Sequence, residues 1–362
     1  SNEHAHQGLS IAESEKARIV HWPDAWGRRP APDGCYLSLL PSPVRTSLNA
    51  QIPAPSAAPA AARESAGAVT GASREPALVS VIMPTLDRPE FLARAVKSVL
   101  AQTYSPIELI VVNDAGCPVD DLLRPLDPDG RITYVRLGRN RNRSAARNAG
   151  LALARGTYVA YLDDDDWYLP SHLERLVGLL ERTGGAVAYG FAERITEERR
   201  SDGWAQTAVT PVYRMPYRRE LLLVGNYIPM PCLVHRRDCL DLVGTFDEDL
   251  FTHEDWDLII RLAAQWPFQQ LEEATCCFSW RNDGTSTTSR HRDDFPRTLQ
   301  LIYERYAHLA AGIPGVAEAQ QQELVRARAG SLDGFPEPAA APAHGAPDCS
   351  IVIPLYNRAD LT

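Results

Sequence analysis

Four consecutive aspartates, Asp163 to Asp166, lie between two apolar stretches of the chain. The preceding residues read TYVAYL and the following residues read WYLP, which is not typical of a solvated acidic tail. Two carboxylates about 4 Å apart repel each other by roughly 4 kcal/mol at an effective dielectric constant near 20. A folded protein that holds several of them together usually supplies a cation, a proton or an arginine. The alternative is an acidic turn in which Asp166 or a neighbour caps the next helix.

A second acidic group, Glu254 and Asp255, occurs in the motif HEDWDLIIRLA. The apolar residues that follow recur at helical spacing and predict a helix that begins between His253 and Asp257. Acidic side chains are favourable at a helix N-terminus, so capping is the simplest interpretation of this pair.

Buried strands alternate with helices in the segment that carries the aspartates. The strand-like runs are ALVSVIMPT, IELIVVNDAG, RITYVRL and TYVAYL, and the helical runs between them are RPEFLARAVKSVLAQTY and SAARNAGLALARG. This alternation predicts a parallel sheet with helices on its faces. Ligands bind such sheets beyond the carboxyl ends of the strands. We therefore expect residues 84–88, 113–114 and 163–166 to lie along one edge.

Length and composition predict one core with appendages. A chain of 362 residues with 44% apolar content can bury a core of roughly 200 to 250 residues. Residues 1–76 are predicted to be an N-terminal extension and an Ala/Pro-rich linker, largely disordered, because such a composition buries little apolar surface. Residues 77–310 form the core domain, and residues 311–347 a helix and linker.

The last segment, residues 348–362, repeats the first strand of the core. SVIMPTLDRPEF from Ser80 recurs as SIVIPLYNRADL from Ser350. The repeat predicts the start of a second, adjacent domain of the same kind.

Charge and cysteine content exclude several classes. A net charge of −9 and a pI near 5.5 argue against a nucleic-acid partner. Seven cysteines without paired metal-type spacing indicate neither a disulfide framework nor a zinc site. The chain contains no run of 18 apolar residues, so the sequence does not predict a transmembrane segment. We expect a cytoplasmic protein, with peripheral association at the inner face of the membrane as an alternative.

Four motifs in order resemble the family 2 glycosyltransferases of the GT-A fold: VSVIMPTLDR, ELIVVNDAG, ARNAGLALARGTYVAYLDDDDW and HEDWDLIIRLA. The resemblance covers roughly residues 77 to 290. It implies an α/β fold with a mostly parallel central sheet and helices on both faces. It also implies an enzyme that moves a sugar from a nucleotide-diphosphate donor, here as the first of two tandem domains.

The resemblance implies that the acidic motif binds a divalent cation, Mn²⁺ or Mg²⁺, that bridges the donor's diphosphate. Such cations are typically held by one or two carboxylates together with phosphate oxygens. Alignment with the family pattern Asp-x-Asp-Asp makes Asp165 the metal ligand and places Asp163 or Asp164 nearer the donor ribose. The fourfold repeat leaves this register open by one residue.

The resemblance also implies donor-binding residues after the first strands. Pro84 and Thr85 lie against the base, and Asp114 accepts a hydrogen bond from the imide N–H of uracil or thymine. The alternative for Asp114 is a carboxylate that caps a turn.

Asp87 and Arg147 complete the donor-binding set. The chain has Leu86-Asp87 where the family often has Tyr-Asn, and Asn113 where it usually has Asp. Arginine matches phosphate geometry, although Arg147 could instead buttress the acidic motif.

The base implied by the resemblance is Asp255, with Glu254 and His253 as neighbours and Trp256 as packing on the acceptor side. A positioned carboxylate that takes the acceptor hydroxyl's proton contributes roughly 10²- to 10⁴-fold. With base and metal on opposite sides of the reacting carbon, one in-line displacement inverts the anomeric configuration. An approach of His291 to the metal is a further alternative.

Rival classes fit the residues less well. A haloacid-dehalogenase phosphatase needs Thr or Val where Trp167 stands, and a sugar nucleotidyltransferase needs a glycine-rich loop where PTLDRPEF has none. The remaining alternative is a catalytically silent module that binds a sugar nucleotide or glycan in a larger synthase. The sequence predicts an inverting, metal-dependent transferase that uses a UDP- or dTDP-sugar donor and a glycan or lipid-linked glycan acceptor.

Overall fold

The computed structural model describes residues 18–21, 75–201, 203–212, 214–281 and 291–329. The Ala/Pro-rich linker and the repeat at residues 348–362 lie outside the described residues. One short strand, β1 (Arg18–His21), belongs to the N-terminal extension and pairs in parallel with a strand of the core.

Four parallel strands form the first half of the sheet, as the sequence predicts. They are β2 (Val79–Thr85), β3 (Ile107–Asn113), β4 (Ile132–Arg136) and β5 (Tyr158–Tyr161). Every residue of β2, β3 and β5 is buried. Strands that are covered on both faces have such continuous apolar runs, which is why the sequence signal is strong here.

Three helices connect these strands: α1 (Pro89–Leu100), α2 (Asp120–Leu123) and α3 (Arg143–Leu153). The side chain of Asn142 caps α3 by accepting a hydrogen bond from the Ala145 amide at 3.0 Å. A Cβ on Gly150 would lie 2.7 Å from Cγ2 of Ile82, so a glycine at this position lets α3 lie close against β2.

The second half of the fold extends the sheet with antiparallel and parallel pairs. Its strands and helices, in chain order, are β6 (Trp167–Tyr168), α4 (His172–Thr183), β7 (Val187–Arg200), β8 (Gly203–Val212), β9 (Leu233–Arg236), α5 (Cys239–Val243), α6 (Glu254–Gln265) and β10 (Gln269–Trp280). Short 3₁₀ turns occur at Arg124–Leu126, Arg219–Leu223 and Met230–Cys232.

The strand order is β1-β4-β3-β2-β5-β9-β7-β10-β6, with β8 paired to β7. The chain passes from β2 through β3 to β4 on one side and returns to β5 on the other side of β2. The carboxyl ends of β2, β3 and β5 therefore meet where the direction of winding reverses. That switch point is where open α/β sheets bind ligands.

Three C-terminal helices complete the described chain. They are α7 (Phe295–Arg305), preceded by a 3₁₀ turn at Arg292–Asp294, α8 (Ala307–Ala310) and α9 (Val316–Arg328). Trp256 and Ile260 of α6 form a second apolar cluster with Tyr303, Tyr306 and Val316. The boundary predicted after residue 310 thus falls within a packed helical unit, and the described chain stays in contact with it as far as Ala327.

Candidate active site

The acidic motif forms a tight turn at the switch point. Leu162 continues β5 and donates its amide to the carbonyl of Ile82 at 3.1 Å, and the chain then turns through Asp163–Asp166. The Asp166 amide donates to the Asp163 carbonyl at 3.1 Å, which closes the turn. The sheet therefore places four carboxylates at one edge, as the sequence predicts.

Asp163 is paired with arginines from α3. Its Oδ1 lies 2.6 Å from an Nη of Arg147, and its Oδ2 lies 3.8 Å from an Nη of Arg143. The same two arginines contact Glu254 at the start of α6: Nε of Arg143 at 2.7 Å and an Nη of Arg147 at 2.9 Å from Oε1. Two guanidinium groups one helical turn apart therefore join the acidic turn to the predicted base segment.

Asp164 faces β2. Its Oδ2 accepts a hydrogen bond from the Thr85 hydroxyl at 2.7 Å, and its Oδ1 lies 3.3 Å from an Nη of Arg88. Burial raises the pKa of Asp164 to about 7, and the charge of Asp165 contributes to the rise.

Asp165 is paired with two arginines from distant segments. Nη1 of Arg88 lies 2.8 Å from its Oδ2, and Nη2 of Arg281 contacts the same oxygen. Oδ1 takes part in neither ion pair. The backbone carbonyl of Asp165 accepts a hydrogen bond from Arg94 at 2.9 Å. The arginines thus hold Asp165 through Oδ2 and the backbone carbonyl, whereas Oδ1 takes part in neither ion pair.

Asp166 is turned into the structure. It is 7% exposed, and its Oδ1 accepts a hydrogen bond from the Ser279 amide of β10 at 3.0 Å. Burial raises its pKa well above the usual range of an aspartate. Asp166 therefore fixes the turn against the second half of the sheet.

The arrangement of Asp165 suits a divalent cation held by one carboxylate. Among the residues that the structure describes, no group of three His, Cys, Asp or Glu side chains is arranged to hold a metal ion. Mg²⁺-type sites on nucleotides often use one or two carboxylates and complete their shell with phosphate oxygens and water. Oδ1 of Asp165, which takes part in neither arginine ion pair, is the oxygen that could serve such a cation.

Asp255 and Glu254 are adjacent carboxylates in opposite electrostatic environments. Arg143 and Arg147 lower the pKa of Glu254 below its usual value even though the side chain is buried. Enclosure raises the pKa of Asp255 to about 6, and the charge of Glu254 adds to the rise. Neighbouring carboxylates whose pKa values are pushed apart are typical of acid–base sites.

Neutral donors orient the Asp255 carboxylate. Its Oδ2 accepts a hydrogen bond from Nδ2 of Asn226 at 3.1 Å, and its Oδ1 accepts one from the Trp256 amide at 2.7 Å. Oδ1 of Asn226 accepts from the Ile228 amide at 3.1 Å, which sets the direction of the Asn226 side chain. Asn226 had not been predicted as a site residue.

The predicted donor-binding residues lie at the same edge. The Asp114 amide donates to the Thr85 carbonyl at 2.9 Å, which joins the ends of β3 and β2, where Pro84 and Thr85 stand. Both carboxylate oxygens of Asp114 accept backbone amides, from Arg141 at 2.8 Å and Asn142 at 2.9 Å. Asp114 therefore also organises the start of α3, which is the capping role considered as the alternative.

Asp87 also shapes the backbone of this edge. Its φ of 53° lies in the left-handed region, and its Oδ1 accepts the Cys117 amide at 2.7 Å. This contact joins the segment after β2 to the segment after β3. Arg147 is 1% exposed and contacts Asp163 and Glu254, which fits the buttress considered for it.

The rings of two further predicted residues have described contacts that do not include the carboxylates of the site. Trp256 is 1% exposed within the second apolar cluster, and its Nε1 donates to the Leu222 carbonyl at 2.7 Å. Its indole is therefore a core side chain and offers no acceptor surface. His291 stacks beside Phe251 at a ring distance of 6.3 Å and lies 3.3 Å from Asp294.

The chain is similar to several known proteins. The family "Glycosyl transferase family 2" matches residues 80–243. The putative colanic acid biosynthesis glycosyl transferase WcaA of Escherichia coli K12 is 32% identical over 207 residues, which cover 55% of this chain and 71% of WcaA. The succinoglycan biosynthesis protein ExoO of Rhizobium meliloti is 29% identical over 258 residues, 68% of this chain and 73% of ExoO.

A solved structure shares the fold. S. aureus TarS 1-349, in a crystal structure with UDP-GlcNAc, superposes with a TM-score of 0.53 at 19% identity and covers 69% of this chain and 71% of TarS 1-349. In the part of the chain that is described, no helix has the length and apolar character needed to cross a membrane. The switch-point site, the family match and the WcaA alignment lead to one conclusion: the chain belongs to the family 2 glycosyltransferases and has their GT-A fold.

Proposed function

We propose that this glycosyltransferase moves a sugar from a UDP- or dTDP-sugar to a hydroxyl of a growing polysaccharide, with inversion and with a divalent cation. The observation that supports this proposal most directly is the pair of arginines on α3. Arg143 and Arg147 each contact both Asp163 and Glu254, so that the acidic turn and the base segment belong to one site.

Asp255 is the proposed base. Its pKa of about 6 leaves it ionised at neutral pH and close enough to neutrality to accept a proton from the acceptor hydroxyl. Hydrogen bonds from Asn226 and the Trp256 amide hold the carboxylate in one orientation. Glu254, kept ionised by Arg143 and Arg147, fixes the first turn of α6 and raises the proton affinity of its neighbour.

Asp165 is the proposed ligand of Mn²⁺ or Mg²⁺, and Asp163 and Asp164 line the donor side of the same turn. When bound, the cation stabilises the charge that develops on the leaving nucleoside diphosphate. Asp165 would hold it through one carboxylate, and Arg281 fixes the orientation of that carboxylate.

The donor class rests on the edge formed by Pro84, Thr85, Asp87 and Asp114. A uracil or thymine imide N–H needs an acceptor, and each oxygen of Asp114 keeps a second lone pair beyond its backbone hydrogen bond. TarS binds UDP-GlcNAc in its crystal structure, which supports a uridine donor.

The acceptor class follows from the relatives. WcaA is named for colanic acid biosynthesis and ExoO for succinoglycan biosynthesis. We therefore propose a glycan or lipid-linked glycan acceptor. Action at the inner face of the membrane, next to a second glycosyltransferase domain, is part of the same proposal.

A panel of nucleotide sugars, assayed for hydrolysis and transfer with Mn²⁺, tests this function. We expect turnover of at least one UDP- or dTDP-sugar, loss of turnover with EDTA, and loss of turnover in Asp255→Asn without loss of nucleotide binding. Full turnover in Asp255→Asn would reject the proposed base. Absence of turnover with every donor would reject the donor class.

A further inference from the structure

Two arginines from different segments share one oxygen of the acidic turn. Arg88 follows β2 and Arg281 follows β10, and both contact Oδ2 of Asp165. Their positive charges meet at the carboxylate to which the proposed function assigns a dication. Like charges repel each other in a partly enclosed site, so these arginines and a cation bind Asp165 in competition.

The two arginines differ in how far their side chains are exposed. The Arg281 side chain is 1% exposed, lies over the Phe91 ring at 4.3 Å and donates to the Ser279 hydroxyl at 2.7 Å. It also lies 3.7 Å from the buried carboxylate of Glu197. Arg281 thus has a second acidic partner that keeps it in place.

Arg88 is the more exposed of the two arginines. Its side chain is 21% exposed, and its position just before α1 places it at the surface end of the β2 edge. Its contacts in the turn are to Asp164 at 3.3 Å and Asp165 at 2.8 Å. A long side chain at this exposure can reach a ligand at the same edge by rotation about its own bonds, without movement of the backbone.

We propose that Arg88 is an exchangeable counter-ion: it neutralises Asp165 in the donor-free enzyme and moves to the donor's diphosphate when nucleotide and cation bind. Arg281 stays with Asp165 and Glu197 in both states. This inference rests on the proposed function. The guanidinium fork matches two phosphate oxygens, so Arg88 exchanges one anionic partner for another.

The exchange predicts that cation and nucleotide favour each other's binding. A cation alone must displace Arg88 without providing it with a new anion. A nucleoside diphosphate provides that anion, so each ligand raises the affinity for the other by the same factor.

The test measures binding of Mn²⁺ alone by electron paramagnetic resonance, and of UDP and dTDP with and without Mn²⁺ by calorimetry. In Arg88→Gln we expect Mn²⁺ alone to bind about tenfold more tightly and the nucleotide with Mn²⁺ to bind about tenfold more weakly. Arg88→Lys, which keeps the charge and loses the fork, should give the wild-type affinity for Mn²⁺ alone and a weakened affinity for nucleotide.

Arg94→Gln is the matched control. Arg94 lies in the same cluster and contacts Glu197 and the backbone carbonyl of Asp165, but its described contacts include no carboxylate oxygen of the turn. We expect its affinity for Mn²⁺ alone to stay at the wild-type value. An equal rise in Arg94→Gln would show a general effect of charge and would overturn the exchange.

Asp165→Asn separates this inference from the proposed function. If that variant still binds Mn²⁺ like the wild type, the proposed metal ligand is wrong and the inference falls with it. If Asp165→Asn loses Mn²⁺ while Arg88→Gln leaves the affinity for Mn²⁺ alone unchanged, the metal site stands and the exchange alone is rejected. Equal melting temperatures in the three arginine variants and the wild type would confirm that the comparison concerns folded protein.

Discussion

The acidic turn and the start of α6 both bring carboxylates into the site, but different groups neutralise them. Asp163 and Asp165 of the turn, and Glu254 of α6, form direct ion pairs with arginines. Asp255 receives hydrogen bonds from an amide side chain and a backbone N–H. Burial is outweighed by Arg147 and Arg143 at Asp163 and Glu254, whose pKa values lie below the usual range, whereas burial raises the pKa of Asp255 to about 6 beside neutral donors. Under the proposed function, arginine ion pairs form with Asp163 and Glu254, which stay charged, whereas the described contacts of Asp255, the proposed base, are hydrogen bonds from neutral groups.

The largest expected effect comes from removal of the link between the two regions. Arg147→Met should destabilise the fold by about 3 to 5 kcal/mol, because Asp163 and Glu254 would lose a buried partner. Arg124→Met is the control, since both side chains of its pair with Asp121 are exposed, 64% and 97%, and its loss should cost less than about 1 kcal/mol. Urea unfolding measures both. Equal losses of stability would show that the ion pairs of Arg147 with Asp163 and Glu254 contribute no more than a surface ion pair.

Next in size is the effect of removing the proposed base. Asp255→Asn should lower kcat by roughly 10²- to 10⁴-fold while the affinity for the nucleotide stays near the wild-type value. Because burial disfavours the ionised form, the neutral Asn should not lower the melting temperature.

Asp257→Asn provides the contrasting variant two residues away. Asp257 is 1% exposed and contacts Arg261 within α6; it also contacts Arg305 and Tyr306, which join α6 to α7 and the residue after it. Its loss should reduce stability by about 3 kcal/mol. If Asp255→Asn lowered the stability and left kcat unchanged, Asp255 would have the structural role that is assigned here to Asp257, and the proposed base would be wrong.

The pH dependence provides a smaller test. Asp255 must be ionised to act as base, so kcat/KM should fall as the pH drops through about 6. Glu254 raises the pKa of Asp255, and its removal also frees Arg143 and Arg147 to lower that pKa. Glu254→Gln should therefore move the acid limb to lower pH by roughly one unit. An acid limb that moved to higher pH would contradict the assigned electrostatics.

The smallest expected effect concerns the orientation of the base. Asn226→Ala removes the hydrogen bond to Oδ2 of Asp255 and should lower kcat by about tenfold with little change in KM. It should also raise the apparent pKa of the acid limb, because the lost donor favoured the ionised form. Asn226→Asp, which is isosteric but adds a negative charge beside Asp255, should move the acid limb further in the same direction.

The parallel half of the fold could be predicted because its signals are local. β2 and β3 are continuous apolar runs, and α1 and α3 have apolar residues at helical spacing. β9 was not predicted, since its four residues include His235, which is buried and bonded to the Tyr161 hydroxyl at 2.8 Å. β10 was not predicted either, because QQLEEATCCFSW mixes polar and apolar residues without regular alternation.

The types and positions of the carboxylates were visible in the chain: Asp163–Asp166 after a buried strand, and Glu254 and Asp255 at a helix start. The partners of these carboxylates were not visible in the sequence, because ion pairs form between residues that only the packed sheet brings together. Arg88 lies 77 residues before Asp165, and Arg281 lies 116 residues after it. The opposite pKa shifts of Glu254 and Asp255 depend on the position of each side chain relative to two arginines on α3. Composition and periodicity carry no information about those distances, and electrostatic energy depends on them directly.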